Sequence, residues 1–264
     1  MNKKILTTFI IGLVAIAAVA AYFFWDAYMN GKGTNMDMLS GRRTPILAVA
    51  TEYRPGTVGY YARPDDELPH PGVILIHEWW GLNENIKEAA RTLASEGYHV
   101  LAVNLFGSVA TTPEQARAQT SGLDQEEALA NMNAAYDYLK ARGATKMASY
   151  GWCFGGGQSM QFSLSGRALD ATVIYYGNLV TDEARLRSIR WPVLGIFGDQ
   201  DTSVTPESAR AFDAALSNLG IEHEVKIYEG VGHAFANPSG ANYAPGETRD
   251  AWERTLTFLG TNLR

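Results

Sequence analysis

The sequence contains a single cysteine, Cys153, and no excess of positive charge. One cysteine in 264 residues cannot form an intrachain disulfide and excludes a cysteine-rich metal site. The net charge of −6 provides no basic surface, so we expect no nucleic-acid partner. The sequence also lacks a phosphate-binding loop and a nicotinamide fingerprint. We therefore expect neither a metal nor an organic cofactor.

The chain does have one long apolar run near its N-terminus. Residues 5–25, ILTTFIIGLVAIAAVAAYFFW, carry no charge and follow Lys3 and Lys4. About 20 apolar residues can span a membrane as a helix, and the preceding lysines favour a cytoplasmic N-terminus. We predict that residues 1–25 are a signal anchor, with a signal peptide cleaved at the A-x-A sequence 18–20 as the alternative. Either alternative places the remainder outside the cytoplasm, anchored to the membrane or secreted.

A polar linker and one large domain are expected after this segment. Residues 26–43 are polar, contain glycines and show no periodicity. From residue 44 to 264, short apolar runs alternate with amphipathic ones, which predicts an α/β fold with a mostly parallel sheet and helices on both faces. We expect a monomer. The predicted strands are 72–78, 99–105, 147–152, 171–177, 192–198 and 222–230, and the predicted helices are 85–98, 113–142, a helix after Phe154, 205–219 and 246–263.

Cys153 lies where the predicted strand 147–152 passes into a helix. The local sequence, Gly151-Trp152-Cys153-Phe154-Gly155, has the G-x-S-x-G spacing of a nucleophile elbow with cysteine in place of serine. Glycines are needed there because the elbow backbone is strained and crowded on both sides. The helix N-terminus favours the negative charge of a thiolate. The alternative is a buried, unreactive cysteine.

An acid and a histidine follow at later strand ends. Reactive groups in parallel sheets gather at the carboxyl ends of the strands. Asp199 and Asp201 follow the predicted strand 192–198, and His233 follows 222–230. We predict that His233 transfers protons and that Asp201 orients it. Asp199 is the alternative acid, closer to the strand and suited to shaping a turn.

The loop after the predicted strand 72–78 supplies further candidates. Attack on a carbonyl requires two N–H donors for the oxyanion, and we expect them from the main chain of Trp79 and Phe154. Glu78 would add negative charge at this position. We therefore expect Glu78 to pair with the Cys153 thiol at rest and to accept its proton when substrate binds, with a solvated loop acid as the alternative.

Four ordered motifs, HEWWGLNENIK, GWCFGGG, GDQDTSVTP and GVGHAF, together resemble the dienelactone hydrolase family of α/β-hydrolases over about residues 45–264. The resemblance implies an α/β-hydrolase fold and a carboxymethylenebutenolidase-like hydrolase of small esters or lactones. It also implies a triad of Cys153, Asp201 and His233, with Glu78 governing thiol activation.

The substrate of this chain is expected to differ from a dienelactone. Family members that cleave dienelactones hold the substrate carboxylate with two arginines, and the matching positions here are Asn237 and Ser108. The nearest arginines in sequence, Arg117 and Arg249, lie on predicted helices and are expected to be solvated. The substrate-binding candidates are Trp80, Phe235, Asn237 and Ser108. The main alternative function is an exported, non-catalytic protein that holds a small ligand in the same pocket.

Overall fold

Eight strands and seven helices make up residues 44–264, the part of the chain that the computed structural model describes. The strands are β1 (Ile46–Arg54), β2 (Thr57–Pro64), β3 (Gly72–Ile76), β4 (His99–Ala102), β5 (Met147–Trp152), β6 (Ala171–Tyr175), β7 (Val193–Gly198) and β8 (His223–Tyr228). The helices are α1 (Glu84–Ser95), α2 (Pro113–Ser121), α3 (Gln125–Ala141), α4 (Phe154–Ser163), α5 (Glu183–Leu186), α6 (Pro206–Asn218) and α7 (Pro245–Leu263).

All eight strands belong to one sheet in the order β1-β2-β4-β3-β5-β6-β7-β8. The neighbours from β4 to β8 pair in parallel, whereas β2 pairs antiparallel with both β1 and β4. The central strands β3, β5, β6 and β7 are buried along their whole length, as expected for parallel strands covered on two faces. The predicted α/β fold with a mostly parallel sheet is confirmed.

Helices cover both faces of the sheet, as the neighbouring residues Tyr60 and Tyr61 of β2 demonstrate. Successive side chains in a strand point to opposite faces. Arg91 of α1 donates a hydrogen bond to the Tyr60 hydroxyl. Tyr138 of α3 packs edge-on against Tyr61, with ring centroids 5.5 Å apart. Helices α1 and α3 therefore lie on opposite sides of the sheet.

Two parts of the predicted organisation differ from the structure. The β1–β2 hairpin was not among the predicted strands; it extends the sheet by an antiparallel edge. The predicted helix 113–142 is wrong as a single element. It is two helices, because α2 ends at Gly122 and the Asp124 carboxylate caps α3 by accepting hydrogen bonds from the N–H groups of Glu126 and Glu127.

The predicted signal segment, 1–25, and linker, 26–43, lie outside the described residues. Between residues 44 and 264, none of the helices is both long enough and apolar enough to cross a membrane.

Candidate active site

Cys153 occupies a sharp turn between β5 and α4. Its φ of 53° and ψ of −118° are unfavourable for a residue with a side chain, and such strain concentrates at functional positions. A Cβ atom on Gly151 would lie 2.2 Å from the carbonyl oxygen of Gly155, and one on Gly155 would lie 2.3 Å from that of Ile76. Only glycine fits at these two positions. The crowding predicted for an elbow is confirmed.

His233 joins Cys153 to Asp201 by two hydrogen bonds. Its Nε2 lies 3.1 Å from the Cys153 Sγ, and its Nδ1 lies 2.7 Å from Asp201 Oδ2. The other carboxylate oxygen, Asp201 Oδ1, accepts from the main-chain N–H groups of Ser203 and Val204 at 2.7 and 3.0 Å. The three predicted side chains therefore come together in one series, which we call the Cys-His-Asp series.

The electrostatics of this series favour an ionised acid and a charged imidazole. Burial alone would raise the pKa of Asp201, but its hydrogen bonds from His233 and the Val204 N–H outweigh burial and lower it. Burial likewise opposes charge on His233, yet its hydrogen bonds to Asp201 and Cys153 raise the pKa of that imidazole to about 10. A charged imidazole next to the sulfur stabilises a thiolate.

Asp199, the alternative acid, has a different task. Its Oδ1 accepts a hydrogen bond of 2.7 Å from the main-chain N–H of Gly230. This contact ties the end of β7 to the turn after β8. Asp199 is exposed, whereas Asp201 is buried against His233. The geometry therefore favours Asp201 as the partner of the histidine.

The two predicted oxyanion donors lie at the same edge of the sheet. Phe154 directly follows Cys153 as the first residue of α4, and Trp79 lies in the turn after β3. Outside the regular helix and strand ladders of residues 44–264, neither main-chain N–H donates to another backbone carbonyl. His77 braces this region: its Nδ1 donates to the Glu78 carbonyl at 2.7 Å, and its Nε2 accepts from the Leu105 N–H.

Glu78 is buried and bound to a neutral partner. Its Oε2 accepts a hydrogen bond of 2.5 Å from Asn237 Nδ2. Burial raises the pKa of Glu78 to about 7, against smaller lowering effects of His233 and Asn237. The structure thus differs from the predicted resting pair of Glu78 and Cys153: the carboxylate faces an amide, and the sulfur faces His233.

The Asn237 side chain is held in this contact by two further hydrogen bonds. Its Oδ1 accepts from Asn85 Nδ2 at 3.2 Å and from the Ser239 N–H at 2.9 Å. These two bonds orient the amide so that its NH₂ group faces Glu78. Asn237 therefore binds Glu78, and its role in substrate binding stays a prediction.

The other substrate-binding candidates occupy varied positions. Trp80 is half-buried and packs edge-on against Trp79, with ring centroids 4.9 Å apart. Phe235 is completely buried, and its ring centroid lies 5.7 Å from that of Tyr176, so it contributes to the packing around the site. Ser108 is exposed, and its hydroxyl accepts a hydrogen bond from Gln119.

Arg117, which was expected to be solvated, also lies close to an aromatic ring near the site. Its side chain is 66% exposed and lies 3.5 Å from Glu114, as expected for a solvated helix residue. Its guanidinium also lies 5.9 Å from the ring centroid of Trp79, within cation–π distance. A positive charge therefore lies near the Trp79 turn, although the Arg117 side chain is exposed to solvent and paired with Glu114.

A cleft of about 550 Å³ lies near the site but is lined by none of Cys153, Asp201 and His233. One of its lining residues, Phe106, packs its ring 4.9 Å from the ring of Phe154. The cleft is also lined by two acids, Asp124 and Glu127, the second of which is paired with Arg54.

Within residues 44–264, no group of three or more acidic, histidine or cysteine side chains is arranged to hold a metal ion.

Sequence reasoning missed several residues that shape this site. His77 braces the Glu78 turn, Asn85 orients Asn237, and Tyr176 places its ring edge-on to His233 at 5.2 Å. The sequence offered one signal, since each of these three residues lies within about two residues of a strand end or loop already identified at this edge of the sheet. The direction in which each side chain points could not be predicted from the sequence.

A nucleophile on a strand–turn–helix elbow, followed along the chain by an acid and a histidine at strand ends, is the arrangement of α/β-hydrolases. The family model of the dienelactone hydrolase family matches residues 58–263. The chain belongs to the dienelactone hydrolase family and is, by this relationship, a hydrolase.

Individual relatives agree with this assignment. A protein named "Putative carboxymethylenebutenolidase" from Saccharolobus solfataricus is 30% identical, covering 73% of this chain and 90% of the relative. The fold is similar to the crystal structure of a "Putative Dienelactone Hydrolase" from Klebsiella pneumoniae, with a TM-score of 0.76 and 25% identity over 82% of this chain and 99% of that one. It is also similar to P91, a dienelactone hydrolase-like promiscuous phosphotriesterase from metagenomic libraries, with a TM-score of 0.72, 25% identity and coverage of 83% and 99%.

Proposed function

We propose that this protein hydrolyses small carboxylic esters or lactones with Cys153 as its nucleophile. The observation that carries the proposal is the Cys-His-Asp series, with its contacts of 3.1 and 2.7 Å. It places an imidazole between an anchored carboxylate and the thiol, which is the arrangement that nucleophilic catalysis requires. Membership of the family supports esters and lactones as the substrate class.

The reaction has two stages. The Cys153 thiolate attacks the carbonyl carbon, and the oxyanion that forms accepts hydrogen bonds from the N–H groups of Trp79 and Phe154. The carbon–oxygen bond then breaks, His233 protonates the departing alkoxide, and a thioester remains on the enzyme. Water, deprotonated by His233, attacks this thioester and the carbon–sulfur bond breaks. The acid product leaves, and the departing thiolate takes back the proton held by Glu78 to restore the thiol. With a lactone, the alkoxide stays attached to the acyl group.

Glu78 is proposed to take the thiol proton when substrate binds. A base with a pKa of about 7 exists in both protonation states near neutral pH, which suits proton transfer. Because Glu78 faces Asn237 in the structure, it must give up that hydrogen bond to reach Cys153. The S–H bond then breaks and an O–H bond forms on Glu78, which leaves the thiolate beside His233.

The proposed substrates do not need a carboxylate. Asn237, at the position where an arginine would be expected for dienelactones, is bound to Glu78. Among the described residues, no lysine or arginine lines the neighbouring cleft, in which Asp124 caps α3 and Glu127 pairs with Arg54. Arg117 lies near the Trp79 turn and is largely solvated. Neutral esters and lactones fit this charge distribution.

The location of the protein is a separate proposal. The uncharged run of residues 5–25 supports a membrane anchor with the hydrolase domain outside the cytoplasm, or secretion after cleavage. Fractionation of cells that produce the full chain with a C-terminal tag tests this proposal. Recovery in the cytosol would contradict it, and removal of residues 1–43 is expected to move the protein there.

The test of the function is turnover of a matched ester panel. We expect the protein to hydrolyse p-nitrophenyl acetate and butyrate and a simple aryl lactone, with no preference for the half-ester p-nitrophenyl succinate. Cys153→Ala should lower kcat/KM by at least about 10³-fold, since the nucleophile is lost. Wild-type turnover in Cys153→Ala would contradict the mechanism. Ligand binding without turnover in the wild type would favour the non-catalytic alternative.

A further inference from the structure

Tyr176 carries a buried hydroxyl that the reaction above does not use. The residue is 1% exposed, and its hydroxyl donates no hydrogen bond to a partner within residues 44–264, although the main-chain N–H of Ala236 is close enough to its oxygen to lower its pKa. A buried polar group without a partner costs stability and calls for an explanation. Tyr98 and Tyr150 share this condition, but Tyr176 is the one whose ring packs against His233.

The backbone holds Tyr176 firmly in this place. The residue directly follows β6 and has a φ of 36°, a left-handed conformation that residues other than glycine rarely adopt. Its N–H donates to the carbonyl of Ile196 at 2.7 Å. A Cβ atom on the next residue, Gly177, would lie 2.3 Å from the main-chain carbon of Gly156. Strained backbone that is fixed from several sides is typical of functional positions.

The Tyr176 side chain packs against His233, which contacts Cys153, and against Phe235, which is two residues from Asn237, the partner of Glu78. The Tyr176 ring is edge-on to His233 at 5.2 Å and to Phe235 at 5.7 Å. Burial raises the pKa of Tyr176 well above its usual value, and the charges of Glu78 and Cys153 raise it further. The hydroxyl is thus within electrostatic reach of both groups and remains a protonated donor at neutral pH.

The Glu78 carboxylate has unused capacity as an acceptor. Within the described residues its side chain accepts one hydrogen bond, from Asn237, whereas an ionised carboxylate can accept about four. Asn237 cannot follow a moving carboxylate, because Asn85 and Ser239 hold its own oxygen. If Glu78 turns toward Cys153, the buried carboxylate needs another donor.

We propose that the Tyr176 hydroxyl is this second donor for Glu78. It receives one carboxylate oxygen as Glu78 leaves Asn237, while the other oxygen takes the proton from Cys153. Tyr176 keeps its own proton throughout and is a positioning residue. The inference rests on the proposed role of Glu78 as the acceptor of the thiol proton. It explains why the chain retains a strained backbone and an unpaired hydroxyl beside His233.

The expected consequence is a change in pH dependence. A hydrogen bond donated to the charged form of an acid favours that form. Removing the hydroxyl therefore raises the pKa of Glu78 in the substrate complex, where the hydrogen bond forms, so the base is protonated, and unable to accept a proton, up to a higher pH in the profile of kcat. The other titratable groups around Glu78 do not change in this experiment: His233 and Cys153 lie in the Cys-His-Asp series, and burial lowers the pKa of His77 to about 4, which keeps it neutral.

The experiment compares Tyr176→Phe with Tyr98→Phe. Each variant loses one buried, unpartnered hydroxyl, but Tyr98 lies just before β4, at the amino-terminal edge of the sheet and opposite to the site. We measure kcat and kcat/KM for p-nitrophenyl acetate from pH 5.5 to 9. Tyr176→Phe should lower kcat about tenfold at pH 7, the size of one lost hydrogen bond to a charged group, and kcat should recover toward pH 9. Tyr98→Phe should follow the wild-type profile.

The double variant with Glu78→Gln separates the possible failures. Tyr176→Phe should have no further effect in the Glu78→Gln background, because the acceptor of its hydrogen bond is gone. An undiminished effect there, or a wild-type profile for Tyr176→Phe, would overturn the inference about Tyr176 and leave the role of Glu78 intact. A Glu78→Gln variant with the wild-type profile would overturn both. Thermal unfolding of each variant checks the fold, and both phenylalanine variants should be at least as stable as the wild type.

Discussion

Two buried carboxylates at the same edge of the sheet, Asp201 and Glu78, differ in the number of hydrogen bonds they accept. Asp201 accepts from His233 and from two main-chain N–H groups, which hold its pKa below the usual value in spite of burial. Glu78 accepts from one neutral amide, and burial raises its pKa to about 7. The surroundings thus make one acid a permanent anion and the other a titrating base.

The two acids are therefore suited to different steps of the proposed reaction. A permanent anion suits the orientation and stabilisation of His233, and it should not exchange protons at working pH. A carboxylate poised near neutrality suits proton transfer from a thiol. Environments that push two acids apart in this way identify the separate roles of otherwise similar groups.

Removing the permanent anion should have the largest effect. Asp201→Asn keeps the shape of the side chain but removes the charge that orients His233, and we expect kcat/KM to fall about 10³- to 10⁴-fold. The loss should be larger at pH 9 than at pH 6, because the hydrogen bond to Asp201 that raises the pKa of His233 is gone and the imidazole loses its charge at lower pH. Steady-state hydrolysis of p-nitrophenyl acetate measures it. Asp199→Asn is the matched control and should remain within about threefold of the wild type. A loss below tenfold in Asp201→Asn would break the comparison.

Removing the titrating base should have a smaller and pH-dependent effect. Glu78→Gln can still accept a hydrogen bond from Asn237 but cannot take a proton, and we expect kcat/KM to fall about 10²-fold at pH 8. The wild-type profile should decline below about pH 7 as Glu78 becomes protonated. This decline should be absent in Glu78→Gln. His233 is not its source, because its pKa is raised to about 10. Persistence of the decline in the variant would contradict the assignment.

The smallest expected effect is the contribution of Glu78 to the free energy of unfolding. The pKa of Glu78 is higher in the folded state than in the unfolded state, so its stabilising contribution is present below about pH 4.5 and is lost as pH rises through 7. Glu78→Gln avoids that loss. We expect its free energy of unfolding in urea to exceed the wild type by about 3 kcal/mol at pH 8, and the two to converge near pH 4.5. A difference that is independent of pH would show that Glu78 does not titrate as described.

The grouping of Cys153, Asp201 and His233 could be predicted from the sequence because it depends on strand ends. Each of the three follows a predicted strand within a few residues, and parallel strands bring such positions to one edge of the sheet. The crowding at Gly151 and Gly155 was predictable for the same reason. These inferences require only the order and spacing of the elements.

The partners of Glu78 could not be predicted in this way. Whether Glu78 faces Cys153 or Asn237 depends on the rotamer of a buried side chain and on Asn85, which lies 152 residues from Asn237 in sequence. The hydroxyl of Tyr176 likewise depends on a left-handed backbone that strand patterns do not reveal. The division of helix 113–142, by contrast, had a visible signal in Gly122 and Asp124.

The most direct test of the central claim is detection of an acyl group on Cys153. The protein is mixed with p-nitrophenyl acetate, quenched with acid within the first turnovers, digested and analysed by mass spectrometry. The account predicts an acetyl group on the peptide that contains Cys153, formed with a burst of p-nitrophenol and absent in Cys153→Ala. Steady hydrolysis without an adduct on that peptide, at a rate that Cys153→Ala retains, would contradict it.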